Sequence, residues 1–96
     1  MNATLDEARA RIDEIDHTLL SLLAERARIT RDLAAWKVAA SLPLRDPARE
    51  AAMIEDRRAM ASSLGLDPWL AEAVTRAVLA SNRGITDDDV TAFAAR

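Results

Sequence analysis

From Leu5 to Ala40 the chain contains no proline or glycine, and its apolar positions recur at alternating spacings of three and four: Leu5, Ala8, Ile12, Ile15, Leu19, Leu22, then Ile29, Leu33, Trp36 and Ala40. That spacing lines one side of an α-helix and gives the seam along which long helices pack on one another. At 1.5 Å per residue, a helix of roughly 36 residues is about 54 Å long. A compact domain of this size has a radius of gyration of about 12–13 Å, hence a diameter of about 30–35 Å. The helix outruns the globule it belongs to. The sequence therefore predicts that a second copy covers part of the seam, and we expect an obligate homodimer with its first helices paired at the centre.

One seam position departs from the pattern. Arg26 falls where a hydrophobic residue belongs. A guanidinium there must snorkel to water, pair with a carboxylate or meet an anionic ligand, because an unpaired buried cation is costly. Spacing alone leaves the three open, and a structural ion pair or a snorkelled arginine is the plainer outcome. Lys37, the only lysine, lies eleven residues on, about three turns, and so points the same way to within about 20°. A solvated helix end accounts for it equally well. Arg9 is rotated by about 100° from Arg26 and reaches the same ligand only from a partner's antiparallel helix.

Two glycines in 96 residues, few β-branched residues and an abundance of alanine, leucine and arginine favour helix nearly throughout, so the expected class is all-α and a single domain. The chain has no cysteine and one histidine, His17, which removes disulfides, thiolate catalysis and most zinc sites and leads us to expect no metal. A net charge of −3 argues against nucleic-acid binding through bulk charge. No apolar run reaches membrane-spanning length, and residues 1–6 lack the basic and apolar segments of a signal peptide, so the expected location is the cytoplasm with no membrane partner.

Thr4 with Glu7 has the spacing of a capping box at the start of the first helix. After the break at residues 41–45, Asp46-Pro47 reads as a cap followed by a proline at the first helical position. Ile54, Met60 and Leu64 are expected on the apolar side of this second helix, and Gly65 is expected to end it. Asp67-Pro68 repeats the start for a third helix, whose inward face is expected at Trp69, Leu70, Ala73, Val74, Ala77, Val78 and Ser81. Gly84 stops or loosens that helix. Residues 85–96, with a further capping-box spacing at Thr86 and Asp89, are expected as a short helix or mobile tail beyond a core of about residues 5–84.

No nucleophile–base pair and no glycine-rich phosphate loop is present. The cations instead follow a known arrangement. Arg9, Ile12, Asp16, the run Leu19-Leu20-Ser21-Leu22-Leu23-Ala24-Glu25-Arg26, then Lys37, then Arg45-Asp46-x-x-Arg49-Glu50 resemble the all-helical chorismate mutases. The resemblance covers roughly residues 5–84. It implies three helices per protomer, the first very long, intertwined in a homodimer, and the conversion of chorismate to prephenate in the shikimate pathway to the aromatic amino acids. This [3,3] rearrangement needs no cofactor, nucleophile or proton transfer. The enzyme holds a flexible dianion in its folded conformer and stabilises charge growing on the ether oxygen.

The resemblance assigns Arg26, and Arg9 from the other protomer, to the substrate carboxylates, which the planar arginine fork suits. It assigns Lys37 to the ether oxygen and one carboxylate. Asp46 and Glu50 are implied at the C4 substituent, and Arg49 would order the acidic groups around it. Asp46 also reads as a plain N-cap, and the two roles are compatible. The third helix departs from the family. Asn82 and Thr86 stand where a serine-like residue and a glutamine or glutamate are usual, and a one-residue slip would put Ser81 in place of Asn82. Three other readings stay open: a 4-amino-4-deoxychorismate mutase of secondary metabolism, an isochorismate-pyruvate lyase, and a non-catalytic helical dimer that regulates or scaffolds.

Overall fold

The computed structural model describes residues 2–82, which form three α-helices: α1 (Asn2–Ala39), α2 (Pro47–Ser63) and α3 (Pro68–Asn82). Among the described residues there is no strand, in agreement with the all-α expectation. None of the helices is long and apolar enough to cross a membrane. Helix α1 starts before Thr4 and runs through it, so Thr4 lies inside the helix and is not its cap. Nothing in Asn2-Ala3-Thr4 breaks a helix, and the turn is simply continued. Gly84, Thr86 with Asp89, and residues 85–96 lie outside the described residues.

Contacts divide the chain into two compact units, Met1–Thr30 and Arg31–Arg96. The first is a single stretch of α1. Among its residues with described side-chain environments none is buried, and Leu5, Ile12, Ile15, Leu19, Leu22 and Ile29 are all exposed. The seam that the sequence sets out is present on the helix and is uncovered.

The second unit holds the end of α1 with α2 and α3, and its buried residues are Ala34, Met53, Ala61, Thr75 and Leu79. Helices α2 and α3 are joined by the short connection at residues 64–67 and pack side by side. Arg58 on α2 reaches Glu72 on α3 at 2.9 Å, and Glu72 also accepts from Arg76 at 2.9 Å. The packing face of α2 carries Met53 and Ala61, the latter only 2% exposed, and not Met60 and Leu64, which are exposed. Ala61 allows close approach of α3, and Met60 and Leu64 lie round the helix from it. Likewise α3 turns Thr75 and Leu79 inward, while Trp69, Leu70 and Val74 stay exposed. Thr75 is tolerated there because its hydroxyl donates to the Ala71 carbonyl at 2.7 Å. Of the expected inner face of α3, Ala73 and Val78 are half-buried, and Trp69, Leu70, Val74, Ala77 and Ser81 are exposed.

Both helix-ending turns share one construction. Leu66 donates to the Ala61 carbonyl at 2.9 Å and Gly65 to Ser62 at 3.3 Å, with Gly65 at φ 72°. Leu42 donates to the Lys37 carbonyl at 2.8 Å and Ser41 to Val38 at 3.1 Å, with Ser41 at φ 57°. These are the paired bonds of a Schellman ending.

Candidate active site

The first turn of α2 gathers three of the expected site residues. Asp46 is the N-cap, with an extended backbone at φ −134° and ψ 90°. Its Oδ1 accepts from the Arg49 amide at 3.0 Å, and its carbonyl accepts from the Glu50 amide at 3.0 Å. Pro47 follows at the first helical position, where its fixed φ suits the helix and its missing N–H costs nothing. Asp46 and Arg49 are exposed and Glu50 is half-buried.

Glu50 faces a half-open groove of about 540 Å³, lined also by Pro47, Ala51 and Ile54 of α2 and by Arg76, Leu79 and Ala80 of α3. Of the expected site residues among the described ones, Glu50 alone lines it. Arg76 was not singled out from sequence. Its only signal there is the four-residue spacing from Glu72, which marks an ordinary helix-surface ion pair.

The cations of the described residues fall into two groups. Arg11, Arg57, Arg58 and Arg76 each pair with a carboxylate. Arg9, Arg26, Lys37 and the Arg49 side chain make no hydrogen bond or ion pair with another described residue, and neither do Arg28, Arg31 or Arg45. Burial separates them further. Among the described lysines and arginines, Arg26, Lys37 and Arg57 are half-buried and the rest are exposed. Arg57 has Asp56 at 2.9 Å. Arg26 and Lys37 are therefore the two half-buried cations without a carboxylate partner among the described residues. For Arg26, no carboxylate among the described residues of the same chain supplies the ion pair that spacing leaves open.

Lys37 stands in the last turn of α1, where a cation meets the negative end of the helix dipole. Asn82, half-buried, is the last residue of α3. Arg9 is exposed on α1 in the first unit, together with Arg26. Lys37, Asp46, Arg49, Glu50 and Asn82 belong to the second unit. Thr86 lies outside the described residues. No group of three or more side chains suited to a metal ion occurs among the described residues.

A family model described as chorismate mutase type II matches residues 8–86. The chain belongs to the chorismate mutase type II family. Chorismate mutases are isomerases, and the matched span contains every residue assigned above, from Arg9 to Thr86. The T-protein of Enterobacter agglomerans is 40% identical over 79 residues, which cover 82% of this chain and 21% of that protein. The chorismate mutase of Methanocaldococcus jannaschii is 30% identical over 81 residues, covering 84% of this chain and 82% of that protein. The T-protein of Haemophilus influenzae is 35% identical over 72 residues, covering 75% of this chain and 19% of that protein. The chain thus spans about a fifth of each T-protein and is of similar extent to the mutase.

Proposed function

We propose that this chain catalyses the [3,3] rearrangement of chorismate to prephenate, without a cofactor, in sites shared by two copies of itself. The observation that carries the reading is the pair of half-buried cations at Arg26 and Lys37, neither with a carboxylate partner among the described residues, in a member of the chorismate mutase type II family. A half-buried cation without an internal carboxylate is poorly solvated. A dianionic substrate supplies the missing counter-charge.

In this reading Arg26, and Arg9 of the second copy, hold the two substrate carboxylates and so fix the folded conformer in which the bond-forming carbons approach. The Lys37 ammonium donates to the ether oxygen, where negative charge grows as the carbon–oxygen bond breaks. Glu50 accepts from the C4 hydroxyl, and Arg49 balances the charge of Glu50 and the nearby carboxylate. The rearrangement is concerted, so no group need gain or lose a proton.

The exposed seam supports the second copy. Leu5, Ile12, Ile15, Leu19, Leu22, Ile29, Leu33 and Trp36 are each between 48% and 60% exposed. Covering a half-exposed side chain of this size contributes on the order of 1 kcal/mol. Eight such residues together contribute far more than the helix propensity of a stretch whose described buried residue is Ala34 alone.

The test is turnover of the purified protein on chorismate, 4-amino-4-deoxychorismate and isochorismate. Prephenate formation well above turnover of the other two supports the reading. Preference for either analogue replaces it with the corresponding enzyme, and turnover of none rejects it.

A further inference from the structure

The groove between α2 and α3 is lined by one acid and one base, Glu50 and Arg76, and its other lining side chains, Ile54 and Leu79 among them, carry no charge. The base is tied down. Arg76 Nε donates to Glu72 Oε2 at 2.9 Å, and Arg58 of α2 donates to Glu72 Oε1 at 2.9 Å. These bonds hold the Glu72 carboxyl below its ordinary pKa, so it stays ionised at neutral pH and keeps the Arg76 guanidinium anchored. We infer that Arg76 is a specificity-determining residue, whose positive charge offsets that of Glu50 and so selects a neutral C4 hydroxyl over a C4 ammonium. The inference rests on the mutase reading above and deepens it at the C4 substituent.

The charges at this end of α2 and α3 balance only when Arg76 is counted. Asp46, Arg49 and Glu50, at the start of α2, have a net charge of −1. Arg58 and Glu72 cancel each other. Without Arg76 the set therefore keeps its −1 and favours a cation at C4. With Arg76 it is neutral, and an uncharged group at C4 loses nothing by comparison. A hydroxyl is uncharged, whereas an aliphatic amine is protonated at pH 7. Chorismate and its C4-amino analogue carry the same two carboxylates. The attraction of Arg76 for those carboxylates is common to both molecules, and only its effect on the C4 group separates them.

The volume of the groove, about 540 Å³, has a cube root of about 8 Å, and at that separation two unit charges at the effective dielectric of a protein surface change one another's binding by roughly thirtyfold. The Arg76 side chain is 63% exposed, and solvent screening reduces the expected effect to about tenfold. The same exposure means that replacing it opens no core. The experiment measures chorismate turnover with 4-amino-4-deoxychorismate as competitor, for the parent, R76Q and R76K. It gives KM for chorismate and Ki for the amine from one preparation, and the ratio Ki/KM does not depend on the fraction of protein that is folded. Glutamine removes the charge and keeps a polar side chain, and lysine keeps the charge.

Selection by charge predicts that Ki/KM falls about tenfold in R76Q and stays within about threefold of the parent in R76K. A plain helix-surface ion pair between Arg76 and Glu72 predicts a lower melting temperature for R76Q with Ki/KM unchanged, and that result overturns the inference. A ratio that falls as far in R76K as in R76Q shows that shape and not charge is read at this position, which also overturns it. A parent inactive on chorismate defeats the functional reading and this inference with it. An active parent whose ratio R76Q leaves in place defeats the inference alone.

Discussion

Ser41 and Gly65 occupy the same position in two copies of one helix-ending motif, the left-handed residue that follows α1 and the one that follows α2. Only Gly65 is the residue that conformation favours. A Cβ at Gly65 would meet nothing within 4 Å, so the preference there is one of backbone conformation and not of space. Left-handed backbone costs a residue with a Cβ about 1–2 kcal/mol. Ser41→Gly is expected to raise stability by about 1 kcal/mol, less the entropy that glycine adds to the unfolded chain, and Gly65→Ala to lower it by about 1 kcal/mol. Urea unfolding of the two variants checks both signs.

Arg26→Ala is expected to lower kcat/KM by about 100- to 1,000-fold, the usual loss for one preorganised donor, with the helix content unchanged. Stability is expected to hold or rise, because the half-buried cation has no described carboxylate to lose. Kinetics beside a urea midpoint for the same preparation separate this outcome from a structural role, in which stability falls and turnover per folded molecule does not.

The bond from Arg76 and then that from Arg58 hold the Glu72 carboxyl below its ordinary pKa. A carboxyl lowered in the folded state adds stability above the ordinary glutamate range, and this is lost as pH falls through the lowered folded value. Unfolding followed from about pH 7 to about pH 3 is expected to show stability falling through that acidic window, and Glu72→Gln is expected to start lower and fall less steeply there.

Features set by neighbouring residues were legible in the sequence. Asp46-Pro47 and Asp67-Pro68 start α2 and α3 as read, with the Asp67 carboxylate accepting from the Trp69 amide at 2.9 Å, and Gly65 ends α2. The faces that α2 and α3 turn to each other were not. Both helices are apolar on more than one side, so the pattern at Met60, Leu64, Trp69 and Val74 reads as core although Ala61 and Thr75 fill that place. Small residues there allow close approach, and hydropathy undervalues them. At the site, the sequence singled out Arg26 and Lys37 because one breaks a seam and the other is the only lysine. It missed Arg76, which the packing of α3 on α2 brings to the groove that Glu50 lines, and whose spacing from Glu72 signals no more than a helix-surface ion pair.

Ile15 stands midway along the uncovered seam, 50% exposed. Ile15→Asp places a charge where a second copy is proposed to pack, and the cost of burying it unpaired is several kcal/mol. The variant is expected to shift from twice the chain mass to the chain mass in sedimentation, and to lose helix content and turnover together. Unchanged mass and turnover would show that this part of α1 faces solvent in the working protein.

A site built from Arg26 of one copy and Arg9 of the other is tested most directly by a mixed dimer of Arg9→Ala and Arg26→Ala chains, co-expressed with two different tags and purified through both. Each variant alone is expected to be nearly inactive. The mixed dimer has one site with both arginines and one with neither, and about half the activity of the parent dimer is expected, as for independent sites. A mixed dimer as inactive as the two variants would contradict sites shared across the interface.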